Sequence, residues 1–150
     1  MRYTLKRTQI IPRPRADVFA FFADAGNLER ITPPFLNFKI LSDLPIDMRT
    51  GALIDYQLSL YKIPIKWRTE IGIYEPNVRF TDTQLRGPYK YWHHLHEFKD
   101  VPEGTEMVDI VDYEIPLGFL GTFARQIFVK QNLKTIFDYR RDTIADYFAS

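Results

Sequence analysis

A long stretch near the C-terminus, from Thr122 to Phe148, contains neither proline nor glycine. Arg140 interrupts its apolar stripe. The stripe itself follows helical spacing and consists of Val129, Leu133, Ile136, Phe137, Ile144, Tyr147 and Phe148. The sequence therefore predicts a long amphipathic helix, which is stable only when other parts of the chain cover its apolar face.

Upstream of this helix the chain divides into short runs rich in β-branched and aromatic residues. These runs end at turn-forming residues such as Pro45, Pro64 and Gly87. We expect seven strands, at residues 2–11, 38–41, 51–60, 65–74, 80–85, 89–99 and 105–115. Connections this short favour antiparallel neighbours, because a parallel connection needs a crossover of a dozen or more residues.

Two short helices are expected between the first and second strands. Pro14 stands where a helix tolerates proline best, and Asp17 follows in the first turn, where a negative charge suits the helix dipole. A second helix is expected at residues 25–31. It must end before Pro33 and Pro34, because the residue before a proline is pushed out of the helical region.

The order strand, two short helices, six strands and long helix predicts an α+β fold with helices on one face of a seven-stranded antiparallel sheet. A strongly curved sheet of this size cannot be filled by one helix, so we expect an internal cavity between the sheet and the C-terminal helix. A chain of 150 residues and 17.8 kDa buries about 69% of its extended surface on folding. We expect one domain over residues 1–150.

Composition excludes several classes of function. Twenty basic residues oppose nineteen acidic ones, and a net charge of +1 provides no field that would attract nucleic acid or anionic lipid. The absence of cysteine excludes disulfides, thiolate zinc sites and cysteine nucleophiles, and no serine lies in a Gly-x-Ser-x-Gly turn. The longest apolar run, residues 18–23, is too short to cross a bilayer. We expect a cytoplasmic protein without stable membrane insertion, since the chain also starts without a signal-like segment.

Alternation along the strands sorts side chains into faces, because residues two apart point the same way. The sets placed inside are Ile54, Tyr56, Leu58 and Leu60 on the third strand, Ile65, Trp67, Thr69, Ile71 and Ile73 on the fourth, and Thr105, Met107, Asp109, Val111, Tyr113 and Ile115 on the seventh. The fifth strand is less clear, with Phe80, Asp82 and Gln84 on one face. On the sixth strand alternation does not choose between Trp92, His94, His96 and Phe98 and their neighbours.

This sorting places a polar pair of side chains in the interior. A short hairpin between the last two strands puts His94 or His96 opposite the inward Asp109, close enough for a hydrogen bond. This pair either satisfies itself as ordinary core or acts on a ligand. Arg140 presents a similar choice. Its stem either carries the guanidinium past the core into water, which we favour, or brings it to pair with Asp82 or Asp109.

Several motifs occur along the chain. They are residues 27–34, Gly51 with Tyr56, residues 67–71, Phe80-x-Asp82-x-Gln84, residues 87–89, Trp92-x-His94-x-His96-x-Phe98, Asp109-x-Val111-x-Tyr113, residues 115–118 and Phe137-x-Tyr139-Arg140-Arg141. Together they resemble the START-related helix-grip (SRPBCC) superfamily, in particular its small bacterial cyclase/dehydrase-like branch. The likeness covers nearly the whole chain, and the Trp-x-His-x-His-x-Phe strand is its most specific part.

The resemblance implies that Trp92, His94, His96 and Phe98 face inward. Members of the superfamily bind lipids, polyketides, hormones and other apolar molecules. Our leading hypothesis is therefore binding or carriage of an apolar or aromatic small molecule that is lipid-, polyketide- or isoprenoid-like. The expected ligand-binding residues are Tyr56, Leu58, Trp67, Thr69, Ile71, Phe80, Asp82, Gln84, Trp92, His94, His96, Phe98, Asp109, Val111, Tyr113, Phe123, Leu133, Ile136 and Phe137. The alternative for the aromatic residues in this set is a plainly packed core.

Two other functions stay open. In the first, a cyclase or dehydratase uses His94 or His96 as its acid or base and Asp109 as the orienting carboxylate, which makes these three the candidate catalytic residues. In the second, the domain is a regulatory module whose ligand sits in a complex with a protein partner. We expect no cofactor and no resident metal, although the same three residues offer a two-His-one-carboxylate set.

Two apolar loops, residues 33–38 and 117–123, are the expected ligand entrance, because each lies near the end of a helix. Anchoring of the loops in the core is the simpler alternative. Their apolar side chains, which we expect to be exposed, could also contact a membrane surface or a protein. They are Phe35, Leu36, Phe119 and Leu120.

Overall fold

The computed structural model describes residues 2–60, 62–116 and 122–149, with the backbone alone for Leu60 and residues 122–128. Its helices are α1 (Arg15–Ala23) and α2 (Thr122–Phe148), and short 3-10 helices follow α1 at Ala25–Leu28 and Pro34–Leu36. Its strands are β1 (Arg2–Ile11), β2 (Lys39–Ile40), β3 (Leu53–Leu60), β4 (Ile63–Glu75), β5 (Arg79–Arg86), β6 (Tyr91–Val101) and β7 (Gly104–Glu114). The strand limits differ from the predicted ones by at most two residues.

The strands form one antiparallel sheet in the order β1-β7-β6-β5-β4-β3-β2. Neighbours from β2 to β7 are consecutive in sequence, as short turns require. The exception is β1, which pairs with the last strand so that Arg2 lies opposite Glu114 and Ile11 opposite Thr105. The predicted α+β architecture, a seven-stranded antiparallel sheet with a long C-terminal helix, is confirmed.

The helix α1 begins where the sequence predicts. Pro14 precedes its first residue and Asp17 lies in its first turn. The second predicted helix, at residues 25–31, is wrong in length, because only the 3-10 turn Ala25–Leu28 forms. Its first turn is capped by Asp24, whose carboxylate accepts the N–H of Gly26. Residues 29–31 continue as turns rather than as regular helix, and Pro33 pushes Thr32 out of the helical region.

The core consists of two apolar clusters separated by a polar layer. The first cluster joins α1 to the end of α2 and includes Phe19, Phe22, Phe80, Phe98, Met107, Ile144 and Phe148. The second lies against the middle of α2 and includes Trp67, Trp92, Val111, Tyr113, Leu133 and Phe137. On β6, His94 and His96 lie between a residue of each cluster, Trp92 and Phe98. On β7, Asp109 likewise lies between Met107 of the first cluster and Val111 of the second, so one polar layer crosses the interior.

One residue predicted to face inward on β4 points outward. Ile73 is 48% exposed. The pairing of β4 with β5 shifts register between Ile71 and Tyr74, and there the hydroxyl of Thr81 accepts the N–H of Ile73. This irregularity reverses the alternation, so Tyr74 packs inward with its ring 5.7 Å from that of Phe19.

Two further side chains differ from the predicted exposure. Tyr147, predicted on the apolar stripe of α2, is 44% exposed, although its ring packs on that of Phe21 with centroids 4.6 Å apart. Leu36, predicted to be exposed beside Phe35, is buried by the 3-10 turn at Pro34–Leu36, whereas Phe35 is exposed. The loop at residues 117–121 and the side chains of Phe123 and Leu60 lie outside the described part of the structure.

Candidate functional site

A cavity of about 190 Å³ lies between the sheet and α2. Its walls come from β3 to β6, from the middle of α2, and from α1 and the segment after it. The predicted ligand-binding residues that border it are Tyr56, Leu58, Trp67, Thr69, Ile71, Phe80, Asp82, Trp92, His94, His96, Leu133, Ile136 and Phe137. The expected cavity is therefore present, and most of the residues chosen from alternation lie on its wall.

Other predicted residues do not border this cavity. Phe98, Val111 and Tyr113 are buried in the apolar clusters, and Phe123 lies outside the described side chains. The amide of Gln84 is used by the turn after β5, because it donates to the carbonyl of Tyr89 and accepts the N–H of the same residue. Asp109 borders a second cavity of about 90 Å³, formed by β1, β7 and α2.

Several wall residues were missed by the sequence analysis. They include Phe22, Leu28, Ile31, Met48 and Tyr89. For Phe22 a signal existed, since it repeats with Val18 along one face of α1. Met48 gave none, because it belongs to a loop without periodicity.

Aromatic rings form one part of the cavity wall. Tyr56 stacks on Trp67 with ring centroids 5.7 Å apart, and Trp67 meets Trp92 edge to face at 5.4 Å. The indole nitrogen of Trp67 donates to the hydroxyl of Thr69 at 3.0 Å, so this polar atom is satisfied within the wall. Burial raises the pKa values of Tyr56 and Tyr89, which keeps both phenols neutral. The wall therefore offers flat apolar surface without charge.

A cluster of five polar side chains, which we call the His–Asp cluster, interrupts this apolar lining. It consists of Asp82, His94, His96, Asp109 and Arg140. The Nε2 atom of His94 lies 2.8 Å from Oδ1 of Asp109, and Nε2 of His96 lies 2.7 Å from Oδ2 of Asp82. Each contact is a hydrogen bond donated by the imidazole to a carboxylate. The two imidazole rings are stacked with centroids 3.7 Å apart.

Strand register brings these side chains together. Asp82 of β5 lies opposite His94 of β6, and His96 lies opposite Asp109 of β7. All four carry side chains on the inner face of the sheet, so each carboxylate reaches both imidazoles. The predicted proximity of an inward His to Asp109 is thus observed for both histidines.

Arg140 completes the cluster from α2, and the prediction that its guanidinium reaches water is wrong. Its Nη2 atom lies 3.5 Å from Oδ1 of Asp109, and its side chain is 12% exposed. The negative charge of the buried carboxylates keeps the guanidinium inside the protein, because a buried carboxylate without a countercharge is costly. The guanidinium also faces the rings of Phe22 and Phe137 at 5.3 and 5.7 Å.

Burial and mutual contact shift the pKa values of the cluster in opposite directions. Burial raises the pKa of Asp109, but the Arg140 charge and the two histidine hydrogen bonds outweigh it and hold that pKa well below its usual value. Burial, with help from His96, lowers the pKa of His94 to about 4. Burial also lowers the pKa of His96, but hydrogen bonds to Asp109 and Asp82 outweigh it and the pKa is raised. The pKa of Asp82 is lowered, because the histidines and Arg140 outweigh its burial.

The sequence matches the protein family described as polyketide cyclase/dehydrase and lipid transport over residues 11–136. The chain belongs to this family. Membership confirms the resemblance stated from the motifs and implies a small hydrophobic ligand, without specifying which one. None of the curated proteins compared matches the sequence.

Solved structures of the same fold extend this finding. The Zhui aromatase/cyclase from Streptomyces sp. R1128 is 12% identical, with a TM-score of 0.80 over 99% of this chain and 94% of that one. Ginseng major latex-like protein 151 from Panax ginseng is 12% identical, with a TM-score of 0.68 over 99% and 98%. A nucleoside-diphosphate sugar epimerase from Corynebacterium glutamicum is 26% identical, with a TM-score of 0.69 over 95% of this chain but 28% of that one. The fold of this family member is therefore the helix-grip fold.

No helix in the described ranges is both long enough and apolar enough to cross a membrane.

Proposed function

We propose that this protein binds an apolar, ring-containing small molecule of the lipid, polyketide or isoprenoid type between the sheet and α2. The observation that carries the proposal is the cavity of about 190 Å³ with an aromatic wall and a single patch of charged groups. An apolar cavity of about 150 Å³ is enough to hold benzene. This cavity therefore suits a molecule of one or two rings, or a larger one that extends toward the surface.

The charged patch gives the bound molecule an orientation. Asp82, His94, His96 and Arg140 border the cavity, whereas most of its other lining residues are aromatic or aliphatic. A ligand with one polar end can place that end at the His–Asp cluster, where it forms hydrogen bonds, and bury its apolar part against the rest of the lining. Pockets for small molecules commonly combine an apolar lining with a few polar groups in this way.

Binding can be followed with the fluorescence of the protein itself, because both tryptophans of the chain, Trp67 and Trp92, border the cavity. We expect β-naphthol to change this fluorescence saturably. Native mass spectrometry of protein purified without organic solvent should also show a retained small molecule that leaves on denaturation. The absence of both a saturable change and a retained mass would contradict the proposal.

A matched pair of variants tests whether β-naphthol binds in the cavity. In Ile136→Phe the larger side chain occupies the cavity, so we expect the affinity for β-naphthol to fall at least about tenfold, or about 1.4 kcal/mol. The control is Ile63→Phe, since Ile63 is 64% exposed on β4 and does not border the cavity. Equal loss in both variants would show that β-naphthol binds elsewhere.

Acid/base catalysis on the bound molecule is a second candidate function. One geometric feature favours it. His94 borders the cavity, and a 2.8 Å hydrogen bond to Asp109 orients its ring. With a linear poly-β-ketone as probe, we expect conversion that His94→Ala slows by about 10²–10⁴-fold while β-naphthol still binds. Conversion that is absent, or unchanged in His94→Ala, would reject this candidate.

A further inference from the structure

We infer that Asp82, His94 and His96 form a binding site for a divalent transition-metal ion such as Zn²⁺ at the wall of the cavity. One ligand atom from each residue, a carboxylate oxygen or a ring nitrogen, lies within 4.8 Å of the other two. The inference does not depend on the proposed apolar ligand, because it concerns only these three side chains and their neighbours.

The distances suit a shared ion. Zinc binds imidazole nitrogen and carboxylate oxygen at about 2.0–2.2 Å, which places neighbouring ligand atoms about 3–3.5 Å apart. Oδ2 of Asp82 lies 2.7 Å from Nε2 of His96 and 3.7 Å from Nδ1 of His94, so the observed separations bracket this range. The two rings are stacked at 25°, so their in-plane lone pairs converge on one ion only when at least one ring turns about χ2.

Asp109 occupies the position of an outer partner of the metal ligands. It accepts a hydrogen bond from His94 Nε2 at 2.8 Å and lies 3.4 Å from His96 Nδ1, the nitrogens that point away from Asp82. Histidines that bind metals almost always donate their other N–H to a carboxylate, carbonyl or water, which fixes the ring. The ligand carboxylate is therefore Asp82, rather than Asp109 as in the set considered from sequence. Asp109 supports His94 from behind, and the Nδ1 atom of His96 lies 3.4 Å from Asp109 and 3.5 Å from Nη2 of Arg140.

The charges of the cluster favour a cation and indicate what binds to it. With both imidazoles neutral, as ligation requires, Asp82 and Asp109 carry two negative charges against the single positive charge of Arg140. A divalent ion reverses this balance and leaves one positive charge beside the cavity. Three protein ligands leave a coordination position open on zinc, as in catalytic sites. That position suits an enolate, phenolate or carboxylate oxygen of a bound molecule.

Metal binding is tested with the purified full chain. We expect equilibrium dialysis to show one Zn²⁺ bound per chain, and Co²⁺ to develop the visible absorption bands of a low-coordinate nitrogen and oxygen site. In Asp82→Asn and His96→Gln the affinity should fall by more than about 100-fold, because even changes to outer partners cost about 10–100-fold. The control is His93→Gln, which removes the neighbouring imidazole on the opposite face of β6 and should leave the affinity unchanged.

Two results would overturn the inference. The first is that the wild-type chain develops no Co²⁺ bands at millimolar Co²⁺, a measurement that needs no variant to fold. The second is that Asp82→Asn and His96→Gln, checked for folding by circular dichroism, bind Zn²⁺ as tightly as the wild type does. The β-naphthol titration needs no added metal. An absence of metal binding can therefore be distinguished from a failure of the proposed function.

Discussion

At the scale of single residues, Arg140 is the only cationic side chain from α2 within contact distance of the buried carboxylates in the described part of the structure. Arg140→Met leaves Asp109 without its main countercharge, so we expect a loss of about 3–5 kcal/mol in the free energy of unfolding. Urea denaturation measures this loss. Arg141→Met is the matched control, since Arg141 is 52% exposed and its surface ion pairs contribute about 1 kcal/mol or less. Similar losses in the two variants would show that Arg140 does not stabilise the buried charge of Asp109.

Asp138, which pairs with Arg7 between α2 and β1, gives a pH-dependent prediction. Hydrogen bonds from Lys134 and Arg7 lower its pKa from 3.8 to about 2. The folded protein therefore binds this proton less readily than the unfolded chain, and the stabilisation is complete above about pH 4 and disappears as the pH falls through about 2. We expect Asp138→Asn to lower Tm at pH 7, with a difference from wild type that narrows steadily toward pH 2. A difference independent of pH would contradict the assignment.

Residue positions were predictable where a strand is regular and less so where distant elements meet. Alternation and the resemblance placed His94 and His96 inside, because a strand in a half-buried sheet has only two faces. The destination of Arg140 depends on which strand its helix crosses, and no local pattern in α2 encodes that. Asp82 was expected to bind a ligand, but its contact with both histidines was not predicted, since that contact follows from the β5–β6 register rather than from its own neighbours in sequence.

At the scale of elements, the turn between β6 and β7 fixes the edge strand β1. Gly104 has φ 138°, and a Cβ added there would lie 2.3 Å from the carbonyl oxygen of Ile11. We expect Gly104→Ala to cost about 2–4 kcal/mol, since strain and a backbone clash add. Gly51→Ala is the comparison, because Gly51 also has positive φ but open space around it, so its cost should be about 1–2 kcal/mol. Chemical denaturation of both variants measures the difference, and equal costs would show that the close approach to β1 is unimportant.

The elements themselves were predicted almost completely, because prolines and glycines separate them clearly. The exception on β4 shows what sequence leaves out. The outward turn of Ile73 requires the Thr81 hydroxyl to accept its N–H from the neighbouring strand. That contact exists only after β4 and β5 have paired, so alternation along β4 alone predicts the wrong face.

At the scale of the whole molecule, the cavity links occupancy to stability. A ligand that binds only the folded chain adds about 2.7 kcal/mol to the free energy of unfolding at a concentration of 100 times Kd. We therefore expect β-naphthol at this concentration to raise Tm equally in the wild type and in Ile63→Phe, and by about half as much or less in Ile136→Phe, whose site is at least about tenfold weaker. Thermal unfolding followed by circular dichroism measures this. A rise of the same size in all three proteins would place the binding outside the cavity.

The position of the cavity was predictable and its chemistry only in part. A seven-stranded sheet facing one helix leaves space in its interior, and the apolar faces of β3 and β4 identified much of the wall. The segment between α1 and β3 contributes another part of the wall, including Met48, and its path follows from irregular turns without periodicity. The polar layer across the core forms where β5, β6, β7 and α2 meet, which is a property of the assembled molecule.

The pairing of β1 with β7 has a consequence for the order of events during synthesis. Arg2 finds its partner in Glu114, and Thr8 pairs with Val108, so these contacts join the start of the chain to residues made about a hundred positions later. During translation, β1 leaves the ribosome long before the strand that completes it. Contacts this distant in sequence slow folding and leave an unpaired strand edge exposed meanwhile. The alternating charges and threonines of β1, at Arg2, Thr4, Lys6 and Thr8, keep one of its faces hydrophilic during that interval and so oppose aggregation of the nascent chain.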